Sequence, residues 1–220
     1  MSALEAHARE MPDRIAYRMI PSGITVTWRE LELRSRKCAA ALLDAGLQAG
    51  DGIAVFLENH PRFFELLWAA HRVGLYYTTI SRHLKREEAR YIIENCDARV
   101  LFYSGCTQAE TDADSLDARG VLRVCMDGAD AGAIQYEAWT GRYADDVALP
   151  ESPEGTDFLY SSGTTGLPKG IKRPLSVANR YFRVGDSPSS AWKAFDRDTV
   201  YLSTAPFYHA APVRLSLIHI

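Results

Sequence analysis

From residue 53 to residue 126 the chain alternates short apolar runs with amphipathic stretches, and this rhythm restricts the possible folds more than any other feature. The run Ile53-Ala-Val-Phe-Leu57 offers no polar side to water, so it reads as a strand covered on both faces. A helix should follow, with Asn59 as its cap, Pro61 in its first turn, an apolar body from Phe63 to Val73 and Gly74 at its end. Strands are predicted again at Leu75–Ile80, Arg99–Tyr103 and Val121–Met126, with a helix over Lys85–Asn95 and a polar, acid-rich stretch from Gln108 to Asp117. Strand, helix, strand in regular order implies an α/β fold, with parallel-sheet βαβ layers and flanking helices.

Upstream, residues 4–26 predict a leading helix and a strand pair, Ile15–Ile20 and Ile24–Thr27, turning at Pro21-Ser22-Gly23. The clearest helix comes next. Thr27 and Glu30 have capping-box spacing, Leu31, Cys38, Ala41, Leu42 and Ala45 recur on one face, and Gly46 stands where a helix ends in a left-handed residue. Residues 127–155 are irregular and read as a surface connection into a buried strand that ends near Tyr160. Beyond it, a helix is expected over Leu175–Val184, a loop over Gly185–Ser190 and a strand over Thr199–Thr204.

Composition narrows the function class. With 220 residues and 47% hydrophobic content the chain can bury a sizeable core. A net charge of −3 gives no long-range attraction to nucleic acid or to an anionic membrane, so neither is expected as a partner. Cys38, Cys96, Cys106 and Cys125 form no C-x-x-C pair and have no histidine at ligand spacing, which favours four reduced thiols over a zinc site or a disulfide framework. Residues 1–13 contain no apolar leader core and no apolar run reaches membrane-spanning length, so a soluble, cytoplasmic protein is expected.

The chemistry is concentrated between Phe158 and Pro174. Four hydroxyls, Ser161, Ser162, Thr164 and Thr165, are interleaved with Gly163 and Gly166, and Gly170 follows Lys169. Glycines permit positive φ and close backbone approach, so successive N–H groups can converge on oxyanion oxygens while short hydroxyls add donors without bulk. Lys169, with Lys172 and Arg173 behind it, supplies the positive charge that a polyphosphate requires. Two familiar phosphate motifs are excluded by spacing. G-x-x-x-x-G-K-[ST] is absent because Gly170 follows Lys169, and Pro168 hinders a helix from starting at the lysine; G-x-G-x-x-G is absent too.

Tyr160 to Gly170 closely resembles the signature of the adenylate-forming (AMP-dependent) synthetase superfamily, which includes acyl-CoA synthetases, aryl-CoA ligases, luciferases and peptide-synthetase adenylation domains. Thr27-Trp28-Arg29-Glu30-Leu31, Gly46-Leu47 with Gly50-Asp51, Asn59-His60-Pro61 and Trp68-Ala69-Ala70 are similar to other segments of that family, so the resemblance covers residues 4–214. It implies a fatty-acid-CoA ligase-like acyl-CoA synthetase. A carboxylate attacks the α-phosphorus of ATP, giving acyl-adenylate and pyrophosphate, and the thiol of coenzyme A then displaces AMP. By the same resemblance Ser161, Ser162, Gly163, Thr164, Thr165, Gly166 and Lys169 would hold the β- and γ-phosphates with Mg²⁺ sharing the charge. Tyr208 would line the acyl pocket, and His209 would sit near the reacting carboxylate and phosphate in a catalytic role. No aspartate lies between Tyr201 and Arg214, so a substrate without an α-amino group is implied, with a fatty acid ahead of an aryl acid.

Lys172-Arg173-Pro174 departs from the Thr-His or Ser-His pair that many members carry after the signature. The adenine-binding segment, the Mg²⁺-binding glutamate, the ribose-binding aspartate and the domain bearing the catalytic lysine would all lie beyond Arg214, so residues 1–214 are expected to be the N-terminal portion of the large domain. Residues 215–220, Leu-Ser-Leu-Ile-His-Ile, can be spelled by a transposase sequencing adapter and are expected to be a non-native tail. On that expectation the 220-residue chain alone does not turn over, and bare strand edges make it poorly soluble. The rival reading is a non-catalytic protein that keeps the fold and a polyphosphate site.

Overall fold

A computed structural model of the chain describes residues 2–20, 22–111, 113–128, 130–161, 168–175 and 199–219. The helix expected over 175–184 and the loop over 185–190 fall outside these residues, save for Leu175.

Helix α1 (Ala3–Glu10) is followed by an antiparallel ribbon of β1 (Ile15–Arg18) and β2 (Thr25–Thr27). Helix α2 (Trp28–Asp44) starts on the expected capping box: Thr27 Oγ1 accepts the Glu30 N–H at 3.2 Å, and Glu30 Oε2 accepts the Thr27 N–H at 2.7 Å. Gly46, at φ +85°, closes it as expected, although Ala45 is exposed and not part of the buried face.

The main sheet contains β3 (Gly52–Phe56), β4 (Tyr76–Thr79), β5 (Ala98–Tyr103), β6 (Leu122–Cys125), β7 (Ile134–Gln135), β8 (Thr156–Ser161) and β9 (Lys169–Lys172). Their spatial order is β7-β6-β5-β3-β4-β8-β9, parallel throughout except for the antiparallel pair β8–β9. Helix α3 (Phe63–Arg72) carries the chain from β3 to β4 over one face, and α4 (Arg86–Asn95) carries it back past β3 to β5 over the other. Right-handed crossovers require that change of face when the direction of travel reverses.

The core is therefore double. Ile53, Val55, Tyr77, Val100, Phe102 and Val124 face α2, α3 and α6 (Tyr136–Thr140), while Ala54, Phe56, Tyr76, Leu101, Tyr103 and Cys125 face α4 and α5 (Ala113–Ala118). The first side also receives Val213 and Leu217 from α7 (Ala210–His219), a helix the sequence reading did not anticipate and in which residues 215–219 take part. Buried Glu65 joins three helices on this side, accepting from Arg34 Nε at 2.8 Å, Arg62 at 3.1 Å and the Tyr136 hydroxyl at 3.1 Å.

Three expectations are corrected and one stretch gains a structure. Asn59 does not cap α3, which begins only at Phe63, because its side chain is used elsewhere. Residues 127–155 are not a plain surface connection, since β7 and α6 bury Tyr136 and Trp139 against the sheet. The polar stretch 108–117, for which the sequence predicted no element, forms a 3₁₀ turn (Gln108–Glu110) and most of α5, with Leu116 buried. Residues 199–204 form no strand; Val200 is 91% and Leu202 66% exposed, so no sheet neighbour covers their apolar side chains. All four cysteines are free thiols, and among the described residues no helix is long and apolar enough to cross a membrane.

Candidate functional site

Strand β8 enters the core with Thr156 to Leu159 buried and emerges at exposed Ser161. The ladder with β9 pairs Phe158 with Lys172, Leu159 with Ile171, Tyr160 with Gly170 and Ser161 with Lys169. The expected cradle residues Ser162, Gly163, Thr164, Thr165 and Gly166 lie outside the described residues. What is described is the frame that fixes the loop's two ends: Ser161 and Lys169 stand opposite each other, with the Ser161 hydroxyl 3.5 Å from the Lys169 carbonyl oxygen.

This frame leans on α4, where the Tyr160 hydroxyl donates to Asn95 Oδ1 at 2.5 Å and the Tyr91 hydroxyl to the Pro168 carbonyl at 3.4 Å. Gly170 serves a purpose that the motif did not disclose. Its φ is not positive, and a Cβ there would fall 2.5 Å from Phe158 Cε2 and 2.8 Å from Tyr160 Cζ. Only glycine lets β9 lie across the two stacked rings, whose centroids are 5.4 Å apart.

The basic cluster divides. Lys169 is exposed at the mouth of the loop. Lys172 instead places its ammonium 4.5 Å from the centre of the Tyr76 ring, a cation–π contact, and Arg173 turns onto Asp157. Asp157, 2% exposed, accepts a second guanidinium from Arg214 at 2.6 Å. Its lone pairs are thus committed to arginine, so among the described residues the hairpin offers no carboxylate to ligate Mg²⁺.

The second constellation sits at the carboxyl ends of β3 and β4, whose following helices pack on opposite faces of the sheet. There the Phe207 N–H donates to Asn59 Oδ1 at 2.8 Å, and the Tyr208 carbonyl accepts from Thr79 Oγ1 at 3.0 Å. The Phe207 ring packs against Phe63 and Phe64, with centroids 5.6 and 4.7 Å away. Tyr208 is buried, with its ring 4.8 Å from that of His209, which is itself exposed at the entrance to α7.

Among the described residues, Ser161 and Lys169 are linked to Tyr208 and His209 through their supports. Consecutive residues of β4 divide the task, Thr78 donating to the Phe158 carbonyl at 2.8 Å and Thr79 to that of Tyr208. Sequence reasoning missed Asn59, Thr78, Thr79 and Asp157 in these positions. For Asp157 a signal existed, an acid directly before the apolar Phe158-Leu159 and three residues before the signature tyrosine.

Glu58, His60 and Asp127 also meet at this end of the sheet, with donor atoms within 4.8 Å of one another. His60 Nδ1 accepts the Arg62 N–H at 3.1 Å, so in the neutral ring Nε2 carries the proton and cannot ligate a metal. Glu58 is taken by the Ser104 hydroxyl at 2.6 Å and Asp127 by the Gly105 N–H at 2.8 Å, and the group acts as a joint between loops. A hollow of about 360 Å³ lined by Asp44, Leu47, Arg99 and Trp139 lies at the opposite, amino ends of the strands.

With this geometry in view, comparison with known proteins is informative. A family described as AMP-binding enzyme matches residues 4–219. The chain is similar to long-chain fatty acid transport protein 1 of Rattus norvegicus, with 28% identity over 94% of this chain and 33% of that protein. It is also similar to 4-coumarate–CoA ligase 3 of Oryza sativa subsp. japonica, with 31% identity over 86% of this chain and 34% of that protein. Among solved structures, the inhibitor-bound N-terminal domain of FACL13 from Mycobacterium tuberculosis shares the fold, with a TM-score of 0.77, 22% identity, and coverage of 98% of this chain and 53% of that one. The chain spans about a third of the length of the curated relatives it matches.

Proposed function

Because this chain belongs to the AMP-binding enzyme family, we propose that it is the N-terminal part of an enzyme that activates a carboxylic acid with ATP and passes the acyl group to coenzyme A. In this reading residues 161–166 and Lys169 hold the β- and γ-phosphates, and Tyr208 and His209 border the carboxylate of the acid. A carboxylate oxygen forms the new bond to the α-phosphorus as the bond to pyrophosphate breaks. The thiol sulfur of coenzyme A then attacks the acyl carbon and AMP leaves.

The observation that carries the reading is the shared support on β4. Thr78 holds the strand leading into the phosphate loop and Thr79 holds the segment bearing Tyr208 and His209, so two sites that must act on one reacting pair rest on adjacent residues. A mobile acid site on a separate element would not need such a link. The absence of an aspartate from 201–214 disfavours an amino acid, and a fatty acid is the substrate class proposed.

The test is acid-dependent exchange of labelled pyrophosphate into ATP by the whole protein, with a panel of fatty, aryl and amino acids. Exchange is expected with fatty acids, and Lys169→Ala is expected to raise KM for ATP about tenfold. Exchange with aryl acids alone would move the substrate assignment, and exchange with none would overturn the activity in favour of a non-catalytic polyphosphate-binding protein.

A further inference from the structure

We propose that Asp157 is a positioning residue that locks the phosphate-loop hairpin and the acid-site helix to one another, an inference that rests on the two-site reading above. Its carboxylate receives Arg173, the residue immediately after β9, and Arg214, five residues after His209 on α7. One arginine therefore reports the far end of the loop and the other the far end of the acid segment, and they meet on a single side chain of β8.

The surroundings make this meeting obligatory. Register places Asp157 beside Tyr77, which is fully buried, so the carboxylate lies in an environment where an unmatched charge is costly. The two arginine side chains stay partly open to solvent, at 32% and 44% exposure, in contrast to the carboxylate that they share. The hairpin is further pinned where the Tyr76 hydroxyl donates to the Arg173 carbonyl at 2.6 Å. The arginine is thus fixed at its backbone as well as its head group, and a shift of α7 that displaced Asp157 would be felt at β9. The threonines of β4 link the same two segments near the open end of the site, and Asp157 links them again deeper in the sheet. Two links at different depths resist rotation of one segment against the other, which a single link does not.

The two arms make the idea testable in the whole protein. Arg173→Gln should raise KM for ATP about tenfold and leave KM for the acid within about twofold, whereas Arg214→Gln should do the reverse. Asp157→Asn, which leaves two guanidiniums facing each other, should raise both, and Asp157→Glu should restore part of the loss. A purely structural carboxylate would give both arginine variants the same profile, and equal shifts in the two KM values, or none, would overturn the proposal.

Amide hydrogen exchange supplies a readout that needs no turnover. Protection over 169–173 should fall in Arg173→Gln, protection over 207–214 in Arg214→Gln, and both in Asp157→Asn, with β3, β5 and β6 unchanged. Uniform loss, or no loss, would overturn the linkage. A wild-type protein without pyrophosphate exchange would remove the acid-activating reading but not this one, which then stands or falls on the exchange pattern. Should Asp157→Asn fail to fold, the two arginine variants decide the matter.

Discussion

At the residue scale, single atoms decide whether the site's frame can form. Gly170 is the sharpest case, because the two rings it passes are themselves stacked and neither can retreat without disturbing the other. Gly170→Ala is expected to destabilise the fold by about 1–3 kcal/mol, the usual cost of forcing a methyl into a packed place, and thermal melting of the purified variant checks it. An unchanged melting temperature would mean that β9 does not lie where it is described. The sequence motif marked this glycine correctly but for an incomplete reason. It appeared as one more flexible point in an oxyanion loop, whereas its service is to bring a backbone close to aromatic faces. Asn59 shows the same limit from the other side: its spacing before Pro61 suggested a cap, and only the arrival of a segment from 148 positions away on its Oδ1 reveals its use. Local patterns cannot announce a partner at that distance.

At the element scale, legibility follows burial. Strands β3 to β6 and helices α2 to α4 were readable to within a few residues, because each is long enough, or apolar enough, for its period to be distinct. Three of the elements that escaped were short or polar: β7 with two residues, α6 with five, and β9, whose Lys-Gly-Ile-Lys is exposed throughout; α7 escaped too, although it is ten residues long and largely apolar, because its apolar residues do not recur on one face. Helix α3 carries a further consequence. It is buried on nearly every side yet contains two buried ionisable groups, Glu65, which meets two arginines, and His71, whose imidazole is pushed down to about 3 by burial and the neighbouring Arg72. The unfolded chain takes up a proton at His71 near pH 6.5 while the folded one does not. Stability from this group is therefore complete above about pH 6.5 and is lost progressively as pH falls toward about 3. Between pH 7 and pH 5 the wild-type protein should lose about 2 kcal/mol more than His71→Gln. Denaturant titrations at the two pH values measure the difference, and parallel losses would mean that the imidazole titrates normally.

At the scale of the whole molecule, among the described residues the sheet ends on one side in β9, with Ile171 60% exposed. Unprotected edges recruit other strands. The 220-residue chain is therefore expected to self-associate as its concentration rises, and Ile171→Lys should reduce this in sedimentation velocity; a wild-type chain that stays monomeric at high concentration would refute it. The seat of residues 207 and 208 is made of different stuff. It grips the chain by an amide hydrogen and a carbonyl oxygen, groups that every residue but proline possesses. That backbone grip does not depend on which side chains the segment carries, while the buried Phe207 and Tyr208 rings add packing of their own. A substitution at either position would therefore disturb the packing of the rings before it disturbed the course of the chain, because the two hydrogen bonds are made by backbone atoms of the segment.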